Sequence, residues 1–436
     1  MSSVVVVGAG IAGLGCAWRL RRAGHDVEVL ERSGRAGGRM RSEERDGFII
    51  DRGAALIRSG DRNLHAVATT LGISDRVRRV PSRGDAVLRA GEFHCADLQS
   101  PAALLVSRLL SVRAKARLAK LAVELAWRWR RIDRQYPERA ADLDNQNLAS
   151  ALSCIVGEEC LEHLLGPRFT ASFGCEPDEL SWAFGLLALQ SAVSAGDSQT
   201  FQGGNGFLTA TLAEQIPLRL GCEVDHIETE TGGVRIDYQR DGRPGRVVAD
   251  AVVVAVPGCE VAALCPKLTP DERGFFEQIR YARGITASLV LDQAPRAFSY
   301  SRVLFPRSVG IGVAGLDIEH HKPGFAPPGA GLVRAMLSRN ATDRLWDAAD
   351  TEISDFAAEE LARTPIGRLR PRSHLIDRYR SMLPIFYPGY LTSLARFRRR
   401  IERSPRIAFA GDYLLGPTAE SALTSGMRAA TEIGRG

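Results

Sequence analysis

Lysine is nearly missing from this chain. Four (Lys115, Lys120, Lys267 and Lys322) stand among 57 basic residues, so arginine carries almost all of the positive charge. That bias fits a GC-rich coding sequence and by itself excludes nothing. The eight cysteines show no CxxC or Cys–His spacing. This argues against a zinc site and a disulfide framework, and for a reducing, cytoplasmic setting. No apolar run approaches the ~18 residues of a membrane span. The N-terminus lacks the charged start and cleavage site of a signal peptide. Internal repeats and low-complexity linkers are also missing. No recognition motif accompanies the net charge of +6, so nucleic acid is not an expected partner. No metal site is expected.

What is present begins at residue 4. A wholly apolar run, Val4–Val7, leads into Gly8, Gly10 and Gly13, then into a helical pattern that reaches about Ala23. A second strand, Val27–Leu30, ends at Glu31. This strand–turn–helix–strand unit is the pattern of a dinucleotide site. Gly8 permits the tight turn, Gly10 lets a pyrophosphate approach the backbone, and Gly13 lets the helix pack on the strand. The first helical turn, with Ile11 and Ala12, offers N–H groups and a positive dipole end to the phosphates. Glu31 is placed to accept hydrogen bonds from ribose hydroxyls and would repel a 2′-phosphate.

The stretch after Glu31 narrows the choice. Arg32-Ser33-Gly34-Arg35-Ala36-Gly37-Gly38-Arg39 is glycine-rich and basic, and Arg39 is a candidate charge-assisted donor to the pyrophosphate. The segment, read as E-x2-GR-x-GGR from Glu31, resembles the signature of the flavin-dependent amine oxidase superfamily. That superfamily includes monoamine oxidases, protoporphyrinogen oxidases and carotenoid or squalene desaturases. Ile407–Asp412 and Glu420–Ala430 are similar to its C-terminal AG(D/E) and EGA-x-x-SG-x-x-AA elements, with Ser421 where glycine is common. Gly47–Ala54 matches its strand and turn beside the flavin ring. Phe201–Leu208, Gly221–Val224, Ala251–Pro257, Phe173–Ser181 and Leu383–Tyr390 are looser matches. The resemblance is specific over about 1–57 and 407–433.

The resemblance implies FAD in an extended pose. Gly38, Gly53, Ala54, Val224, Gly411, Asp412, Ala419, Glu420, Ser421 and Ala422 join Gly8, Gly10, Ile11, Ala12, Gly13, Glu31, Arg32 and Arg39 as expected cofactor contacts. No cysteine follows Cys265, so a C-terminal thioether to the flavin has no donor and FAD is expected to be non-covalent. The expected fold is α/β: a discontinuous Rossmann-like FAD-binding domain (1–80, 200–265 and 395–436) and a mixed α+β substrate domain (81–199 and 266–394). The first insertion reads as helical. In the second, Thr286–Leu291, Val303–Phe305 and Leu332–Leu337 read as strands, and Asp350–Arg363 as a helix.

The implied activity is hydride abstraction from a hydrophobic small molecule, by desaturation or by a protoporphyrinogen-oxidase-like reaction. Molecular oxygen is a candidate acceptor. A redox-neutral FAD isomerase, a flavin amine oxidase and a non-catalytic flavoprotein remain open. Amine oxidases often place a lysine on the strand matching Tyr281–Leu291; this chain has none there, and Thr286 falls near the position. Catalytic residues are not identifiable. Arg58 either meets an acidic substrate or lies on the surface. Arg168 and Phe169 either line the pocket or pack. Phe386 and Tyr387 either face the flavin or pack a loop. His320-His321 reads as an exposed loop. Residues 104–132 combine apolar residues at helical spacing with basic ones, which suits either an anionic membrane surface or a solvated capping helix.

Overall fold

The computed structural model describes residues 2–129, 131–194, 196–295, 299–401 and 406–434. Arg130 of the basic segment, and residues 402–405 and 435–436 of the third expected FAD-binding piece, lie outside the described residues.

The Val4–Val7 run is buried because it is the centre of a sheet. Five strands pair in the order Leu218–Leu220, Asp26–Glu31, Ser3–Val7, Ala251–Val254, Ile407–Phe409, every neighbour parallel. An inner parallel strand is covered on both faces, so it needs apolar side chains throughout rather than alternation. One cover is the helix Ile11–Arg22, which packs on the C-terminal helix Ala419–Ile433. The two backbones approach closely at Gly426, where a Cβ would overlap the Ala12 carbonyl oxygen.

A second, seven-stranded sheet has the order Ser373–Pro384, Tyr281–Leu291, Gly331–Leu337, Val313–Asp317, Arg302–Leu304, Asp85–Arg89, Glu92–Cys95. Its core is apolar, with Ile285, Leu289, Val333 and Leu316 all buried. Three strands, Cys222–Glu230, Gly233–Arg240 and Arg243–Ala249, form an antiparallel meander. The segment 101–194 is largely helical.

The helical reading of the first insertion holds over 101–194 but misses the hairpin Asp85–Arg89/Glu92–Cys95 before it. Its two-residue turn puts both Ala90 (φ 52°) and Gly91 (φ 80°) in the left-handed region. Alanine rarely accepts that conformation, so the sequence lacks the Asn-Gly or Asp-Gly mark of such a turn. The strands expected in the second insertion form as Tyr281–Leu291, which starts five residues before the expected Thr286, Arg302–Leu304 and Gly331–Leu337. The helix expected at Asp350–Arg363 spans Asp350–Ala362.

Candidate functional site

Two glycines set the shape of the first turn. Gly8 takes φ +105°, and its N–H donates to the Leu30 carbonyl at 2.8 Å. A Cβ on Gly13 would overlap the Gly8 carbonyl oxygen. Gly10 differs from both: a Cβ there would meet nothing within 4 Å. The protein therefore leaves open space beside Gly10. Gly10 is also the N-cap of Ile11–Arg22 and supplies no side-chain cap. The first-turn N–H groups of a helix need a partner, and here they face no competing side chain from the cap. Ile11 and Ala12 are buried behind the turn.

Glu31 ends its strand as expected. Its carboxylate accepts from the Ala9 N–H at 2.7 Å and from the Ser33 N–H at 2.8 Å. It therefore braces the glycine turn from below, a role the sequence did not reveal. The following loop returns over the turn, with the Gly37 N–H donating to the Ala9 carbonyl. Gly38 is so close to Gly10 that a Cβ would stand 3.1 Å from the Gly10 Cα. Arg32 turns away to pair with Glu260 at 3.0 Å. Val224 lies beside a bulge in its strand, and the loop reaches that strand's start where the Gly221 N–H donates to the Ser33 carbonyl.

Arg39 is the junction between the two ends of the chain. Its Nη1 donates to Asp412 Oδ2 at 2.6 Å and to the Met382 carbonyl at 2.7 Å. Tyr281 Oη donates to the other Asp412 oxygen at 3.2 Å, and the Arg39 guanidinium lies 5.7 Å from the Tyr281 ring. Burial works against the charge on Arg39, but Asp412 outweighs it and holds the guanidinium above its usual pKa. About a third of the Arg39 side chain (34%) remains accessible, while Asp412 is buried. Gly411 is tied to Ser425 Oγ, which sets Asp412 at the edge of the C-terminal helix.

The start of that helix, Ala419–Ala422, is capped by Thr418, whose hydroxyl accepts from the Ser421 N–H at 3.1 Å. Glu420 is committed elsewhere: its carboxylate accepts from Asn63 and Leu64 N–H groups, both at 2.9 Å, and so caps the helix Arg62–Thr70. Any cofactor contact from Glu420 must therefore come from its backbone.

The turn Gly53–Ala54 joins the two sheets. A Cβ on Gly53 would overlap the Arg39 carbonyl oxygen, and the Ala54 N–H donates to that same oxygen at 2.9 Å. Arg334 Nη1 donates to the Gly53 carbonyl at 3.0 Å from the seven-stranded sheet. Arg52 pairs with Asp377 of that sheet at 2.6 Å. Asp51, two residues before Gly53, accepts from Ser42 Oγ, Asn205 N and Asn205 Nδ2. Lys322 Nζ donates to Asp51 Oδ2 at 3.3 Å, to the Ala55 carbonyl at 2.6 Å and to Glu319. The expectation of an exposed loop at His320-His321 is thus corrected. Lys322 beside them is buried, and His320 Nδ1 accepts from the Leu332 N–H. Two signals were available. The lysine is one of four, and Arg334 interrupts the apolar strand GLVRAML.

The expected substrate residues divide. Phe169 and Phe386 are core residues, Phe386 stacked on Phe184 at 4.9 Å. Tyr387 Oη donates to the Gln278 carbonyl. Arg58 is no surface arginine: it is largely buried and donates to Ser198 Oγ at 2.6 Å. Arg168 pairs with Asp85 at 2.7 Å. Strand Tyr281–Leu291 carries no lysine, and Thr286 on it is buried. Among the described residues, no group of three His, Cys, Asp or Glu side chains could hold a metal.

The residues present fit a dinucleotide: open space lies beside Gly10, and the partly accessible Arg39 is held against Asp412.

Residues 11–434 match the family model described as flavin containing amine oxidoreductase. The chain is 22% identical to mitochondrial protoporphyrinogen oxidase of Nicotiana tabacum, over 98% of this chain and 94% of that protein. It is 28% identical to a putative flavin-containing monoamine oxidase of Mycobacterium tuberculosis, over 62% of this chain and 60% of that one. Among solved structures, a putative protoporphyrinogen oxidase from Exiguobacterium superposes with a TM-score of 0.80 at 21% identity, covering 99% of this chain and 98% of that one.

Proposed function

This chain belongs to the flavin containing amine oxidoreductase family, and from that premise we propose that it is an FAD-dependent dehydrogenase or oxidase of C–H bonds in a hydrophobic small molecule, with its substrate held between the Gly53–Ala54 turn and the seven-stranded sheet. The observation that carries this reading is the convergence at Arg39. The nucleotide turn, Asp412 and the far sheet all meet there, beside the Gly53 turn.

Bound FAD supplies the hydride acceptor. The chain's residues do the rest. The Gly8–Gly13 turn and the N–H groups of Ile11–Gly13 hold the pyrophosphate. Glu31 accepts from ribose hydroxyls, and the Val224 backbone meets the adenine. Arg39 and Asp412 flank the middle of the cofactor, with Gly38 letting the backbone come close. Gly53 and Ala54 back the ring, and the helix start at Ala419–Ala422 directs its dipole toward the ring's electron-accepting edge. The one lysine at the ring-side turn, Lys322, is locked between Asp51 and Glu319. This supports C–C dehydrogenation over amine oxidation.

Anaerobic addition of candidate substrates to the FAD-loaded protein tests this. Apolar polyene or porphyrinogen substrates should bleach the flavin, and putrescine or benzylamine should not. Bleaching by amines alone would contradict it.

Glu31→Ala should cut the flavin content of the purified protein by roughly tenfold or more. It should cost the bare fold only about 1–3 kcal/mol, because two turn N–H groups lose their acceptor. Unchanged flavin content would remove Glu31 from the site.

The basic segment is placed at an anionic membrane surface in this reading. On the helix Val112–Arg128, Ala114 and Leu121 are buried, while Val112 (84% accessible), Val123 (68%) and Trp127 (67%) face outward beside exposed Arg113 and Lys120. Leu105 and Val106, just before, are also exposed. No helix among the described residues is long and apolar enough to cross a membrane. An outward apolar stripe with basic flanks suits shallow interfacial insertion. The protein should sediment with phosphatidylglycerol vesicles and a Val123→Asp/Trp127→Asp variant should not; equal sedimentation of both would refute the contact.

A further inference from the structure

Three separated parts of the chain meet at one phenol. Tyr281 is the first residue of the strand Tyr281–Leu291 in the seven-stranded sheet. Gly258 follows the strand Ala251–Val254, and Asp412 follows Ile407–Phe409. Those two strands are parallel neighbours in the five-stranded sheet. Both residues thus lie past the carboxyl ends of strands, where an open parallel sheet receives its ligand. The Gly258 N–H donates to Tyr281 Oη at 3.1 Å, and Tyr281 Oη donates to Asp412 Oδ1 at 3.2 Å. A phenol has one hydrogen to give. The Gly258 amide occupies a lone pair, so the hydrogen is directed at Asp412. Burial and the neighbouring carboxylate push the Tyr281 pKa well above its usual value, which keeps the group a donor.

The adjacent strand of the same sheet makes a second link. Ser373–Pro384 pairs with Tyr281–Leu291, but the register shifts between the pairs Ala282/Leu383 and Gly284/Tyr379. Arg380, Ser381 and Met382 there stand against the single residue Arg283. The Met382 carbonyl within this bulge accepts from Arg39 Nη1 at 2.7 Å. Bulges re-aim groups in this way beside functional sites. Arg39 Nη1 also donates to Asp412 Oδ2 at 2.6 Å. The Asp412 carboxylate is therefore held at both oxygens, one by Tyr281 and the other by Arg39. Each oxygen keeps a lone pair for a further donor. The Arg39 guanidinium lies 5.7 Å from the Tyr281 ring, which closes the triangle.

We propose that Tyr281 is a positioning residue for FAD: by holding Asp412, it couples cofactor binding to the docking of the seven-stranded sheet. The inference rests on the reading of Arg39 and Asp412 as flanking the middle of the cofactor. A carboxylate free to rotate has to be ordered when a ligand binds, and one already fixed by two donors does not. The coupling runs both ways by linkage. An Asp412 engaged by FAD keeps hold of the start of Tyr281–Leu291, and a docked strand keeps Asp412 ready for FAD. The sheet is therefore most firmly seated when the cofactor is present.

Titration of the flavin-free protein with FAD, followed by quenching of flavin fluorescence, tests the proposal. Tyr281→Phe keeps the ring over Arg39 and removes the hydroxyl. It should weaken FAD binding by about tenfold or more, the contribution of one hydrogen bond to a charged group. The Gly258 N–H loses its acceptor as well, a cost to the bare fold that melting of the flavin-free protein reads separately. Tyr390→Phe is the control, because its buried hydroxyl donates to the Tyr413 carbonyl at 2.8 Å rather than to Asp412. It should bind FAD as the parent does. Hydrogen exchange read by mass spectrometry reports the reverse coupling. FAD should slow exchange over residues 281–284 in the parent and leave it unchanged in Tyr281→Phe. Equal FAD affinity in Tyr281→Phe and the parent would overturn the proposal, as would an equal loss in Tyr390→Phe. So would an FAD-loaded parent whose exchange over 281–284 matches that of the flavin-free protein, a result that needs no variant to fold. A parent that takes up no FAD would remove the cofactor reading itself, and that is seen before either variant is made.

Discussion

Gly10→Ala will leave the bare protein as stable as the parent and cost it its flavin. The added methyl group meets no protein atom within 4 Å, and the backbone at Gly10 (φ −74°, ψ 174°) suits alanine. Nothing in the fold therefore requires glycine there. Only a ligand lying against the turn does. FAD affinity should fall at least tenfold, while the melting temperature of the flavin-free protein stays put. Gly13→Val is the matched contrast. Its Cβ runs into the Gly8 carbonyl oxygen, so the helix must lift from the strand, and overpacking of this kind costs about 1–3 kcal/mol or more. That variant should lose both flavin and stability. Equal flavin content in Gly10→Ala and the parent would show that the open space beside Gly10 is not where the cofactor lies.

The second large effect is expected at Lys322. Its ammonium sits between Asp51 and Glu319, with side-chain exposures of 5% or less for all three. Lys322→Met keeps the bulk and leaves two buried carboxylates facing each other. Breaking a buried pair in this way costs about 3–5 kcal/mol, which should lower the melting temperature by roughly 5–10 °C. The Gly53–Ala54 turn should loosen too, since the Ala55 carbonyl loses its donor. Adding Glu319→Gln to Lys322→Met should recover part of the loss. Thermal unfolding of the three variants measures this, and a Lys322→Met protein that melts with the parent would refute the role.

The glycine turn was legible because each of its residues acts locally. Gly8, Gly10, Gly13 and Glu31 are spaced by the turn they build, so a short window contains the whole pattern. The parallel strands around them announced themselves as continuous apolar runs. The junction around the Gly53–Ala54 turn was less legible because its partners are far apart in sequence. Lys322 meets Asp51, Arg39 meets Asp412, and Arg334 meets Gly53. The strand Ser373–Pro384 was hidden for a related reason. Its Asp377 and Arg378 look like loop charges until Arg52 and Asp350 are brought to them. Glu420 shows the reverse case, a motif residue whose side chain serves a neighbouring helix.

The central proposal is that this chain carries FAD non-covalently, beside the Gly10 turn and Arg39. An absorption spectrum of the purified protein, recorded before and after acid precipitation, tests it most directly. Flavin bands in the native protein that move entirely into the supernatant are the predicted result. A colourless protein that takes up no added FAD, or flavin that stays with the precipitate, would contradict it.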